Sequence, residues 1–332
     1  MHQDTKLQRR HLLLGSAAGA AGLLLPSWAR AADEYPVRPI TFVCPWPAGG
    51  TADQSMRAIC QGASKVLGQS IAVENRAGAA GMIGAQYLST SRPDGYVIGQ
   101  IPISVTRFSQ IGTLKADPRK DFTYLARTNG QTFGIAVLPN SKFKTLNDMV
   151  AFAKANPGKV TYAHAGVGGA THVGMEEFAL AAGIDLNAIA YKGGSAALQD
   201  TLGGQVDMLA DSSSWAPHVE GGKLRLLATW GEKRTPRFKD TPTLKELGYN
   251  VVVDAPNGIG APKGLPPEVE KKLRDAFRTA IQSEEFKSVA ARIDSPVMYL
   301  DGPDYQKYVM TVYDRETQLI QRLKLKELME KG

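Results

Sequence analysis

Cysteine is scarce in this chain: among 332 residues only Cys44 and Cys60 carry thiols. No Cys-x-x-Cys pair and no Cys/His cluster at zinc spacing occurs, which argues against a zinc ribbon. Cys44 falls in a strand-like run and Cys60 in a helix-like one, with no spacing that forces them together. An oxidising compartment would permit a bridge between them, and two buried thiols are the expected state. Blocks of like charge are missing too. The formal net charge is +7, and Lys6, Arg9, Arg10 and Arg30 against Asp4 place +3 of it before Ala32. The remaining mild positive excess suits an anionic ligand and argues against nucleic acid as a partner. Long apolar runs are also lacking, since none reaches the ~20 residues that span a bilayer. Nor is the chain a disordered one. At 43% hydrophobic and 21% charged residues it can bury a sizeable core, and its length suggests about two domains.

The first thirty residues read as an address. Gln8-Arg9-Arg10-His11 is followed by a modestly apolar Gly/Ala-rich stretch to Leu25, then Pro26 and Ala29-Arg30-Ala31. Charged region, short apolar region and small-residue cleavage pattern make a signal peptide, with cleavage near Ala31/Ala32. The paired arginines and weakly hydrophobic core favour the twin-arginine route, an ordinary secretory signal being the alternative. Residues 1–31 are accordingly set apart from the fold, and the mature protein is expected outside the cytoplasm.

From Ile40 onward, β and α signals alternate. Ile40–Cys44, Ile71–Glu74 and Tyr96–Gly99 read as strands, with helices beginning after Gly49-Gly50-Thr51 and after Asn75–Gly81. After Gly130 the pattern resumes: strands at Gly134–Leu138, Val160–Ala163, Ile189–Tyr191, Val206–Ala210 and Leu224–Ala228, with helices over 145–155, 171–182 and 195–203 between the earlier ones. A Pro/Gly-rich segment runs from Ala255 to Pro267, and helices near 267–282 and 303–328 close the chain. This order predicts an α/β fold of two blocks, each a mostly parallel sheet flanked by helices. Ligands of such sheets bind outside the carboxyl ends of strands, here in a cleft between the blocks.

Three glycine-rich turns lead from strand to helix. Glycine turns expose N–H donors, and a helix that starts there adds its unpaired N–H groups and dipole, a setting made for a carboxylate. The turns are Gly49-Gly50-Thr51, Gly168-Gly169-Ala170-Thr171 and Gly194-Ser195-Ala196, with hydroxyls on Thr51, Thr171 and Ser195. The expected ligand-binding set is Trp46, Ala48, Gly49, Gly50, Thr51 and Asp53 from the first. The second adds Gly166, Gly168, Gly169, Ala170, Thr171 and His172, the third Gly194 and Ser195, and the end of a strand Asp211 and Ser212. Asp53 is assigned to capping the helix and holding the loop more than to direct contact. Asp211 can accept from a ligand N–H or hydroxyl, from water, or within a turn. His164 and His172 lack a third ligand and are expected as hydrogen-bonded cleft-wall histidines. Trp46, Trp215 and Phe133 are either cleft walls or core.

The run Pro45-Trp46-Pro47-Ala48-Gly49-Gly50-Thr51-Ala52-Asp53 resembles the P-x-P-x-G-G-x-x-D opening of the Bug/TctC family, the periplasmic receptors of tripartite tricarboxylate transporters. The likeness continues through Val73–Gly81, Pro93–Tyr96, Gly166–His172, Tyr191–Ala197, Leu202–Asp207 and Pro242–Gly248, in order from residue 35 to the C-terminus. It implies a two-lobed type II periplasmic-binding-protein fold with chain crossings near 130 and 254. The first domain is then 32–130 with 255–332 and the second 131–254. It also implies a small organic acid ligand held by the loops and ordered waters, membrane permease subunits as partners, a monomer, no cofactor and no catalysis. The segment Ile101–Phe108 and Trp46 depart from the family pattern beside the expected ligand, which leaves the ligand's identity open.

Two rivals remain. Gly166-Val167-Gly168-Gly169-Ala170-Thr171 approaches G-x-G-x-x-G, with Asp185 about twenty residues on, the mark of an exported nicotinamide-dependent oxidoreductase. The third glycine is absent, however. A ligand sensor for a signalling system is the other. A hydrolase finds no G-x-S-x-G elbow.

Overall fold

The computed structural model describes residues 35–253 and 255–331; the leader read in residues 1–31 lies outside them. The first lobe opens with β1 (Ile40–Cys44), α1 (Thr51–Leu67), β2 (Ile71–Asn75), α2 (Met82–Ser89), β3 (Val97–Gln100), α3 (Val105–Ile111) and β4 (Phe122–Asn129). The chain then enters a second sheet. It forms β5 (Phe133–Val137), α4 (Leu146–Ala155), β6 (Thr161–His164), α5 (Ala170–Ala182), β7 (Asn187–Ala190), α6 (Gly194–Leu202), β8 (Met208–Ser212), α7 (Ala216–Glu220) and β9 (Arg225–Thr229). It returns to the first sheet with β10 (Asn257–Pro262), α8 (Pro267–Gln282), α9 (Glu284–Arg292), β11 (Val297–Asp301), α10 (Gly302–Arg322) and α11 (Leu325–Lys331).

The helices follow from ordinary signals. In α1, Met56, Ile59, Cys60 and Ala63 recur at helical spacing and are buried, and Gly68 ends the helix in the left-handed region at φ 67°. Thr145 and Asp148 form a reciprocal capping box on α4. Pro267 opens α8, whose buried Val269, Leu273, Ala276, Phe277 and Ala280 cover the first sheet together with α1. Both cysteines are free and buried, as expected.

The strand order is β11-β4-β10-β3-β1-β2 in the first sheet and β7-β6-β8-β5-β9 in the second. The sheets are mixed, which corrects the expectation of mostly parallel ones. β1 pairs parallel with β2 and β3, and β6 with β7 and β8, whereas β10, β4, β11, β5 and β9 all pair antiparallel. The antiparallel strands include those by which the chain leaves and re-enters the first sheet. β10 lies inside the Pro/Gly-rich segment that reads as loop. Its glycines are there because neighbours fill the space of a side chain: a Cβ on Gly258 would stand 1.9 Å from the Tyr305 hydroxyl, and one on Gly260 2.2 Å from Ile101 Cδ1. The closing helix breaks at Lys324, φ 46°.

One apolar cluster runs through both lobes, joining Phe108, Tyr124 and Tyr305 of the first to Phe133, Tyr162 and Trp230 of the second. Among the described residues no helix is long and apolar enough to cross a membrane.

Candidate ligand-binding site

Each loop is built by side chains behind it. Gly49 takes φ 82°, and Gly50, in extended conformation, is the N-cap of α1. Neither Thr51 nor Asp53 caps that helix, so the capping part of the expectation is corrected. Asp53 instead holds the loop: its carboxylate accepts from the Gly49 N–H at 2.9 Å, from Asn75 Nδ2 at 2.7 Å and from Arg57 Nε at 3.0 Å. Burial pushes this carboxyl up, but the donors of Arg57, Asn75 and Gly49 outweigh it and keep it below the usual carboxylate range. The first N–H groups of α1 therefore have no side-chain cap, and Gly50, Thr51 and Ala52 line a cavity.

The second loop repeats the scheme. Gly166 and Gly168 take φ 138° and 73°, and Gly169 is an N-cap without side-chain help. His164 Nδ1 accepts from the Gly166 N–H at 3.3 Å and His172 Nδ1 from the Gly168 N–H at 3.1 Å; the rings stack 4.5 Å apart. Burial pushes His164 down to about 3 and His172 to about 4, so both are neutral and free to accept. Among the described residues no group of three or more His, Cys, Asp or Glu is placed to hold a metal. Thr171 Oγ1 accepts from the Ala165 N–H at 3.1 Å. From the other lobe, buried Arg107 on α3 grips both carboxylate oxygens of Glu316 on α10 at 2.7 Å and donates to the Gly168 carbonyl at 2.8 Å. The arginine that stood out only as a departure from pattern thus ties the second loop to the first lobe.

The third loop differs. Gly193 has φ 131°, and Gly194 begins α6 directly against the Asp211 carboxylate: a Cβ on Gly194 would lie 2.2 Å from Asp211 Oδ2. Asp211 accepts from Ser214 Oγ at 2.5 Å, and Trp215, fully buried, donates Nε1 to its backbone carbonyl at 3.2 Å. Burial pushes the Asp211 carboxyl up to about 6. A carboxylate already sits beside this helix N-terminus, so its field does not favour a second anion there.

The loops meet. Trp46, Gly50, Thr51, Gly169, Ala170, Thr171, Gly194, Ser195, Asp211 and Ser212 line one cavity between the lobes, open to solvent at its mouth. Ala48, Gly49, Asp53, Gly166, Gly168 and His172 do not line it. Asp207, in the bend just before β8, accepts from the backbone N–H and hydroxyl of Thr161, both at 2.9 Å. Phe133 is a cavity wall, whereas Trp215 is core. Lys and Arg are absent from the lining among the described residues, and Trp46 Nε1 is a buried donor without a partner. Residues outside the expected ligand-binding set add to the wall, among them Ala80, Gln100, Pro102, Ser104, Gln131 and Pro256. Gln100 stands at the carboxyl end of β3, the one signal that could have found it.

Two sheeted lobes with an interlobe cavity ringed by strand ends and helix N-termini define a periplasmic binding protein, a class of solute receptors. The chain belongs to the TctC family, described as the tripartite tricarboxylate transporter family receptor, which its residues 55–325 match. It is 41% identical to the UPF0065 protein in the gbd 5′ region of Cupriavidus necator over 96% of this chain and 99% of that one. To BugT of Bordetella pertussis it is 32% identical over 86% and 89%. Among solved structures, the periplasmic binding protein BugD matches with TM-score 0.84 and 28% identity over 88% of this chain and 99% of that one. A Rhodopseudomonas palustris protein solved with adipate matches at 0.82 and 26% over 87% and 98%. MatC of R. palustris with bound malate matches at 0.77 and 25% over 88% and 100%. The family is one of periplasmic solute-binding receptors, not of enzymes, so the oxidoreductase reading of the second glycine loop falls.

Proposed function

We propose that this receptor captures a small organic acid and delivers it to the permease subunits of a tripartite tricarboxylate-type transporter, acting as a monomer exported by a twin-arginine leader. The observation that carries the ligand class is the convergence of two uncapped helix N-termini, at Gly50 and Gly169, on one cavity whose described lining holds no basic side chain. Backbone N–H groups and helix dipoles are then the main source of positive potential, and a carboxylate is the group they fit. The adipate and malate bound by two neighbours are acids of this size. The lobes hinge, on this reading, where the chain leaves β4 for the second sheet and where it returns to β10. A thermal-shift screen of aliphatic di- and tricarboxylates, amino acids and aromatic carboxylates tests the reading: one acid class should raise Tm with concentration. A flat response to every acid would refute it.

A further inference from the structure

The cavity holds more than donors. Gln100 lines it from the first lobe with its side chain 2% exposed, and Gln100 Oε1 has no hydrogen-bond partner. The orientation of this amide follows from a chain of buried bonds that ends on a backbone carbonyl. The Ser295 hydroxyl donates to the Gly130 carbonyl, which can only accept, and in turn accepts from Asn129 Nδ2 at 2.6 Å. Asn129 Oδ1 accepts from Asn257 Nδ2 at 3.2 Å, and Asn257 Oδ1 accepts from Gln100 Nε2 at 2.7 Å. Each amide must therefore present its oxygen one way, and Gln100 is left with a bare acceptor. Reversing the row would leave the Gly130 carbonyl facing a hydroxyl that donates elsewhere.

Opposite in the fold, at the carboxyl end of β8, Asp211 adds a carboxylate, 3% exposed, that no described Lys or Arg lining the cavity neutralises. A carboxylate ligand carries no donor of its own. An acid with only methylene groups between its carboxylates would leave Gln100 Oε1 unmatched in a buried site, where an unpaired polar group is costly, and would offer no donor to Asp211, whose described partner is the Ser214 hydroxyl. We propose that Gln100 and Asp211 form an acceptor subsite that selects organic acids carrying a hydroxyl or amino group over acids of the same skeleton without one. This inference rests on the receptor reading above and narrows its ligand class.

The test is isothermal titration of the mature protein with matched acids: propanoate, lactate and alanine; succinate, malate and aspartate; glutarate, 2-hydroxyglutarate and glutamate. In each set that binds, a donor-bearing member should bind at least about tenfold tighter than the parent, the scale of one hydrogen bond to a charged group. Gln100→Leu and Asp211→Asn should each bring that ratio toward one. The wild-type ratio stands by itself where a variant fails to fold. Preference for the hydroxy acids would assign a neutral donor, and preference for the amino acids an ammonium. Parent acids binding within threefold of both substituted forms would overturn the subsite while leaving the receptor reading intact. Failure of every acid to bind, here and in the wider screen, would overturn both.

Discussion

Replacing Gly50 with aspartate probes the anion loops with little cost to the fold. Gly50 has φ −71°, and a Cβ there would meet nothing closer than Ser195 Oγ at 3.4 Å. The position is an N-cap, where aspartate is favoured over glycine by a few tenths of a kcal/mol. Thermal stability of the free protein should thus hold or rise slightly. Binding should not. The new carboxylate would take the N–H groups of α1 that a ligand needs, a loss of about 1.5–3 kcal/mol for each hydrogen bond to a charged group. Two like charges about 4 Å apart add a repulsion of about 4 kcal/mol at an effective dielectric constant near 20. At ~1.4 kcal/mol per tenfold, affinity should fall more than a hundredfold in a calorimetric titration. Gly50→Ala is the control, since it adds the Cβ without the charge and should bind within a few fold of wild type. A folded Gly50→Asp protein with wild-type affinity would remove this loop from the site. Gly169→Asp is a poorer probe, because a Cβ there already stands 3.1 Å from the Gly166 carbonyl and 3.3 Å from Ala80 Cβ.

Five other outcomes are expected. Arg107→Met or Glu316→Leu alone should cost about 3–5 kcal/mol in urea denaturation by leaving one buried charge unpaired, and the double replacement should recover most of it; a double variant as unstable as the singles would contradict the pairing argument. His164 and His172, held at about 3 and about 4 when folded, sit below a free imidazole near 6.5. Their stabilisation is therefore complete above about pH 6.5 and is lost as pH falls toward 4, and His164→Asn or His172→Asn should each flatten that slope by up to about one proton. Asp211, raised to about 6 from ~3.9, has the opposite sign: its contribution is full below about pH 4 and lost as pH rises through 6, so Asp211→Asn should steepen the acid-side loss. Parallel pH–stability curves for these variants and the parent would refute both assignments. Small-angle scattering should give a smaller radius of gyration with saturating acid, whereas identical curves would mean a preclosed cleft. Changing Arg9 and Arg10 to Lys should leave uncleaved precursor in the cytoplasm, and unchanged export would assign the leader to the general secretory route.

Local chemistry was legible in the sequence. Glycine turns between strand-like and helix-like runs announced both Gly50 and Gly169 as helix starts, because the need for bare N–H groups and for left-handed φ is written in residue type. The burial of Cys44 and Cys60 followed from period and neighbours in the same way. β10 did not show itself, since a strand whose glycines are dictated by Tyr305 and Ile101 reads as loop until those side chains are placed. Asp53 was legible as a holder of its loop but not as the partner of Asn75 and Arg57, which come from β2 and from a turn further along α1. Only tertiary structure set Asp211 against Gly194, making the third glycine loop unlike the other two. Only tertiary structure carried Arg107 across to the Gly168 carbonyl and aligned the amides of Asn129, Asn257 and Gln100. These depend on contacts between residues far apart in the chain, and no local period or motif encodes which distant acceptor a side chain will meet.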